Sequence, residues 1–199
     1  MRLCVAAAAI GLLVGCGNTS AEATSAEAAA TSSVQSGAWT VDYDQSSLGF
    51  EATQNGKVFD GKFDEFEASI VLDPSDLVNA AIDVSIAMDS AQTGDRQRDS
   101  ALPGTDWFDA KSHPTARFVS TSVRSVGENA YEAAGALTIR GVTNDVTLPF
   151  ALVIEDNAAK AEGRVTIMRD AFGVGRGEFK TGTWVGLSVD VVVDITASR

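Results

Sequence analysis

Beyond residue 16 the sequence contains no cysteine, and the whole chain has one histidine, His113. The two cysteines, Cys4 and Cys16, both lie in the N-terminal segment. With that segment processed as argued below, the folded part has no disulfide, no thiol nucleophile and no thiolate metal ligand, even in an oxidising compartment. A single histidine also falls short of a zinc site built on several ligands, so no metal is expected. Positive charge is scarce: 15 Lys and Arg against 27 Asp and Glu leave a net charge of −12. A chain this acidic has no electrostatic footprint for nucleic acid, and anionic lipid headgroups would repel its surface. Nor does it carry a long hydrophobic run. The N-terminal one, residues 3–14, falls short of the roughly 20 apolar residues that span a bilayer.

That short run follows Met1-Arg2 and ends in Leu13-Val14-Gly15-Cys16. It has the length of a signal-peptide core. Its end is similar to the lipobox of bacterial lipoproteins, in which the chain is cut before the cysteine and the thiol carries diacylglycerol. Residues 1–15 are therefore expected as a signal peptide, with lipidation at Cys16 and a membrane contact made by the acyl chains. Gly17 and Asn18 lack the aspartate that retains enteric lipoproteins at the inner membrane. The expected location is the cell envelope, facing the periplasm, at the outer membrane. The stretch "GNTSAEATSAEAAATSSVQSG", residues 17–37, has Val34 as its only sizeable apolar side chain, so residues 16–37 read as a flexible tether. Residues 38–199 are one domain's worth of chain, enough for a sizeable core.

Over that domain the apolar residues recur with a period of two. In "VGLSVDVVVDI" the residues Val185, Leu187, Val189, Val191, Val193 and Ile195 fall on one face, with Gly186, Ser188, Asp190 and Asp194 opposite. "AAIDVSIAM" alternates in the same way, and so does "VTLPFALVI", where Pro149 suits an edge or a bulge. "AWTVDY", "SLGFEA", "FEASIVL", "RFVSTSV", "YEAAGALTI" and "EGRVTIM" supply the other strands. Between Phe63 and Phe66 the alternation slips by one, as at a β-bulge. Turns fall at Asn55-Gly56, Asp73-Pro74-Ser75, Gly127-Glu128-Asn129 and Asp156-Asn157, and a glycine-rich loop covers residues 173–182. Eight to ten half-buried strands with short connections mean an all-β antiparallel sandwich or barrel. The period does not separate the two, although closure would remove exposed edges. An outer-membrane barrel would turn the apolar face outward, and the lipobox and tether argue against it.

Five segments, in order, resemble the YceI-like family. They are "WTVDYDQSSLGFEATQNG", "VFDGKFDEFEASIVLD", "LPGTDWFDAKSHPTARF", "GALTIRGVTNDVTLPF" and "MRDAFGVG", and they run through residues 39–196. The resemblance implies a periplasmic, lipocalin-like β-barrel of about eight strands with an elongated cavity for a polyisoprenoid lipid. It implies a non-enzymatic carrier or buffer of such amphiphiles, with no cofactor beyond the lipid itself. The inward residues that would touch the lipid are Phe50, Phe66, Ile70, Ile82, Val84 and Ile86 from the early strands. Leu102, Trp107 and Phe108 would reach it from a lid, and Phe118, Leu137, Ile139, Leu148 and Phe150 from the middle strands. Val165, Ile167, Val189 and Val191 complete the set. The same side chains are compatible with a solid core, in which case the domain would act through its surface in envelope stress or protein interaction.

One polar stretch interrupts the strands: "TGDRQRDSALPGTDWFDAKSHPTARF", residues 93–118. Residues 94–101 suit a short helix capped by Thr93 or Gly94, and Pro103-Gly104 breaks it. "TDWFDAK" then suits a second helical turn, so residues 94–110 read as a helical lid over one barrel mouth. His113 with Asp109 would be the only acid/base pair on offer, and nothing nearby supplies an oxyanion hole. No catalytic residue is assigned, and His113 reads as structural. Asp95, Asp99, Arg96 and Arg98 read as a salt-bridged solvated face. Arg96, Arg98 and Arg169 each remain candidates to hold a phosphate or carbonyl head at the mouth. The loop "GRGEFKTG", residues 175–182, lacks P-loop spacing and reads as mobile.

Overall fold

The alternating runs become eleven antiparallel strands in the computed structural model, which describes residues 37–199. The signal segment, Cys16 and the rest of the tether to residue 36 lie outside the described residues. In chain order the strands are β1 (Ala38–Val41), β2 (Ser47–Gln54), β3 (Lys57–Phe63), β4 (Phe66–Val71), β5 (Ala81–Ala87) and β6 (Ala91–Gln92). Next come α1 (Arg96–Ala101) and the longer strands β7 (Thr115–Gly127), β8 (Ala130–Ile139), β9 (Val142–Glu155), β10 (Ala158–Met168) and β11 (Ser188–Ser198).

Closure is a matter of pairing. β1 bonds to β4 on one side and to β11 on the other, which joins β1, β4, β5 and β7 to β11 into a ring of eight. β2 pairs with the first half of β11, β3 with β2, and β6 with β3. The three early walls of the barrel are thus each one strand broken in two. Ser90 stitches two of the breaks together. Its carbonyl accepts from the Asp64 amide at 3.2 Å, and its hydroxyl accepts from the Glu65 amide at 3.1 Å. The slip between Phe63 and Phe66, expected as a β-bulge, is instead this break: β3 ends at Phe63 and β4 begins at Phe66. The result is a closed, antiparallel, lipocalin-like barrel.

Two hairpin tips have both central residues at positive φ, as a two-residue type I′ turn requires. Asn55-Gly56 was legible as such; Arg140-Gly141, at 52° and 72°, was not, because arginine is no turn signal. Of the edge or bulge expected at Pro149, the edge is found: the β9–β10 ladder stops beside it, at Phe150 opposite Gly163, while the β8–β9 ladder runs through it without a register shift.

The helical excursion is shorter than expected. α1 is capped by Asp95, not Thr93 or Gly94, because the Asp95 carboxylate reaches the Gln97 and Arg98 amides at 2.9 and 3.1 Å. No second helix follows. Residues 104–112 form overlapping turns around Gly104 and Asp109, and Asp109 itself takes a φ of 49°. Leu187 also departs from the inner row of β11: the strand begins at Ser188, and Leu187 packs on Gly182 while its carbonyl accepts from the Arg169 amide.

Inside, two phenylalanine rings lie against the wall where a neighbouring strand has no side chain. Phe50 faces Gly61 across the β2–β3 ladder, and a Cβ on Gly61 would fall 2.2 Å from the ring. Phe118, whose direct partner is Leu137, reaches diagonally over Gly135, where a Cβ would fall 2.7 Å from its ring. Rings held flat occupy less of the interior than rings standing upright. Gly61→Ala should therefore swing Phe50 into the interior and cost about 1–3 kcal/mol, the usual penalty of overpacking. Urea unfolding checks the loss, and adding Phe50→Leu should recover most of it.

Candidate functional site

The barrel is not filled. Two cavities lie end to end along its axis, about 300 Å³ at the end covered by α1 and about 140 Å³ at the other. Leu48, Ile86, Leu137 and Val191 border both and form the waist between them. The residues expected to face a ligand distribute as follows. Phe50, Leu102, Trp107, Phe108, Ile139, Ile167 and Val189 line the lid cavity. Phe66, Ile70, Ile82, Val84, Phe118, Leu148, Phe150 and Val165 line the far one. Ile86, Leu137 and Val191 line both. Trp39 walls the far end, its indole N–H donating to the Leu72 carbonyl at 2.8 Å.

Sequence reasoning missed several wall residues. Phe59 and Phe63 line the lid cavity, and the alternation Phe59-Gly61-Phe63 could have placed both. Phe172, just before the glycine-rich loop, and Val174 and Phe179 within it line the cavity too, where no period announces them.

That loop is not free, which corrects the reading of residues 175–182 as mobile. The physical reason is Arg169, which is 4 % exposed. Its Nε donates to the Gly186 carbonyl, Nη1 to those of Val174 and Gly175, and Nη2 to those of Phe179 and Val185. A guanidinium has five N–H donors, and here all five are used. Burial lowers its pKa from the ordinary arginine value, and the nearby Asp170 carboxylate opposes that shift. The Asp106 carbonyl accepts from the Gly175 and Arg176 amides at 2.8 and 2.7 Å, which ties the lid to the loop. Trp107 of the lid packs on Phe179, ring centres 5.0 Å apart, with the Arg169 guanidinium 5.4 Å from its own ring centre. A second buried arginine, Arg140, holds the lid from below through the Thr105 and Trp107 carbonyls, both at 2.6 Å.

The catalytic alternative does not assemble. The Asp109 carboxylate accepts from the Ser112 hydroxyl and lies 3.7 Å from Arg140, while the His113 ring packs over Gly141. The solvated face on α1 needs correction too. Only Arg96 of the two helix arginines is exposed; Arg98 turns inward over the Phe59 ring at 4.4 Å, and Asp99 is bound to the Thr93 amide and hydroxyl.

The sequence model of the YceI-like domain matches residues 39–197. The chain belongs to that family. Among solved structures, this YceI-like domain is similar to Burkholderia cenocepacia BcnA, with 31 % identity and a TM-score of 0.78 over 80 % of this chain and all of that one. A polyisoprenoid binding domain from Saccharophagus degradans shares the fold at 12 % identity, with a TM-score of 0.65 over 81 % of this chain and 98 % of that one. A UPF0312 protein of Pseudomonas paraeruginosa is 32 % identical over 120 residues, 57 % of this chain and 62 % of that protein. Another, from Pseudomonas putida strain W619, is 34 % identical over 87 residues, 44 % of this chain and 45 % of that one. The matched stretch spans about half the length of these Pseudomonas relatives.

Arg169→Met should orphan five carbonyls and cost at least about 3 kcal/mol, since each buried acceptor left unpaired costs about 1–3 kcal/mol. Amide exchange should quicken at Gly175 and Arg176 and stay unchanged in the β7–β8 ladder.

Proposed function

We propose that this YceI-like domain binds one long-chain amphiphile of polyisoprenoid type in its lumen and carries or buffers it at the cell envelope, without catalysis. The observation that carries the reading is the pair of aligned cavities, whose far half is walled by apolar side chains and Gly163 alone. Their combined volume of about 440 Å³ falls within the roughly 300–1,000 Å³ of small-molecule sites. They are elongated: from Val189 in the lid cavity to Ala197 in the far one, β11 runs about 26 Å at about 3.3 Å per residue. A flexible hydrocarbon gains about 0.8 kcal/mol for each CH₂ taken out of water, so a narrow apolar tube favours a chain over a compact ligand. The polyisoprenoid binding of the Saccharophagus degradans domain supports the ligand class. The eighteen lining residues named above would make the contacts. Lipidation at Cys16 and a tether through residue 37 would hold the domain at the periplasmic face of the outer membrane.

Organic extraction of the purified protein, followed by mass spectrometry, should recover a stoichiometric apolar molecule, and the emptied protein should take up added isoprenoid quinone. Repeated failure of both contradicts the proposal. Val191→Trp blocks the waist: uptake should be lost while stability changes by less than about 1 kcal/mol, whereas a filled core would lose more to overpacking. Cys16→Ala should abolish incorporation of labelled fatty acid and move the protein out of the membrane fraction; an unchanged distribution rejects the anchor.

A further inference from the structure

The lumen is polar at one end only. No polar side chain enters the wall of the far cavity, whereas Gln54, Asp95, Gln97, Arg98 and Arg169 enter that of the lid cavity. Arg169 has no N–H to offer, since five carbonyls hold its five donors. Gln97 is exposed, and Asp95 is occupied in capping α1. Arg98 and Gln54 remain. Arg98 lies over Phe59 with Nε donating to Thr93 Oγ1 at 3.1 Å and Nη1 donating to Gln54 Oε1 at 3.2 Å. Among the described residues nothing accepts from its Nη2. The guanidinium of this cavity-lining side chain is thus positioned at three points, with its Nη2 donors to spare.

Building on the lipid reading above, we infer that Arg98 and Gln54 form a head-group site, and that the head it takes is an uncharged oxygen, hydroxyl or carbonyl. The charge around Arg98 decides against phosphate. Asp95 Oδ2 stands 3.8 Å from Nη1. Asp99 accepts at 2.6 Å from the same Thr93 hydroxyl that receives Arg98 Nε. Two carboxylates therefore compensate one cation, and a phosphate would meet both of them in a protein of net charge −12. An alcohol meets no such cost: its oxygen accepts from Nη2, and its proton goes to the second lone pair of Gln54 Oε1. The tail then points toward Trp39 at the far end.

Three probes of matched chain separate the parts of this inference in equilibrium binding to the purified protein: squalene, a prenyl alcohol and its monophosphate. The alcohol should bind about ten-fold more tightly than squalene, the size of one hydrogen bond to a charged donor. Arg98→Met, which keeps the contact with Phe59, should erase that preference and leave squalene binding unchanged, so squalene also reports that the variant is folded. The monophosphate should bind more weakly than the alcohol. Asp95→Asn with Asp99→Asn, which keeps the cap and the Thr93 bonds, should narrow that gap. Equal binding of squalene and alcohol, or an equal loss of both in Arg98→Met, overturns the head-group site while leaving the lipid-filled lumen intact. Tighter binding of the monophosphate overturns the uncharged head. Binding of none of the three contradicts the lumen reading itself, and the head-group site with it.

Discussion

β11 bears the closure on which everything inside the barrel depends. Along one edge it pairs with β10 over eleven residues, and along the other it takes first β2 and then β1. Once the ring is shut, the period-two pattern has a single consequence: one face of every strand points to a common axis, and the other meets solvent. Outside, the seam is bridged by Arg164 of β10, which binds Asp190 of β11 and Glu51 of β2. Hydrogen bonds from Arg164 hold the Glu51 carboxyl below its ordinary pKa, and those from Thr166 and then Arg164 do the same for Asp190.

Closure explains an interior; it does not explain an empty one. Eight strands make a barrel that side chains can fill. Here two of the large rings, Phe50 and Phe118, are turned against the wall by glycines on the adjacent strand, and many of the other inward strand residues are medium aliphatics. The space left over is divided at Leu48, Ile86, Leu137 and Val191. At the lid end two buried arginines do what a hydrophobic plug would otherwise do. They are bound mainly to backbone carbonyls, so they fix loops without filling the cavity. A buried cation is costly unless fully hydrogen-bonded, and Arg169 meets that condition through neutral dipoles instead of a carboxylate.

What the sequence made legible follows from this division. Alternation is local, so the rows Ile82-Val84-Ile86 and Val189-Val191-Val193-Ile195 could be read directly, and the slip at Asp64-Glu65 announced its break. Closure is non-local and came only from family resemblance. The hollowness, too, was implied by the resemblance and not by the alternation, because it turns on register: Phe50 lies flat because Gly61, not Lys62, is its partner. The role of Arg169 was hidden for a related reason. Its acceptors are backbone carbonyls, which leave no trace in residue identity, so a loop rich in glycine looked mobile. Arg98 was assigned to the solvated face of α1 since its inward partners, Gln54 and Phe59, come from strands far off in the chain.

Lipid carriage requires a lumen that admits a foreign alkyl chain in the folded protein. A high-resolution crystal structure of the protein soaked with a polyisoprenoid quinone tests it most directly. Tubular density should run from Trp107 and Phe172 through the waist at Val191 to Trp39, with the wall side chains in place. Ordered water along that path, or aliphatic side chains collapsed across the waist after soaking, would contradict it.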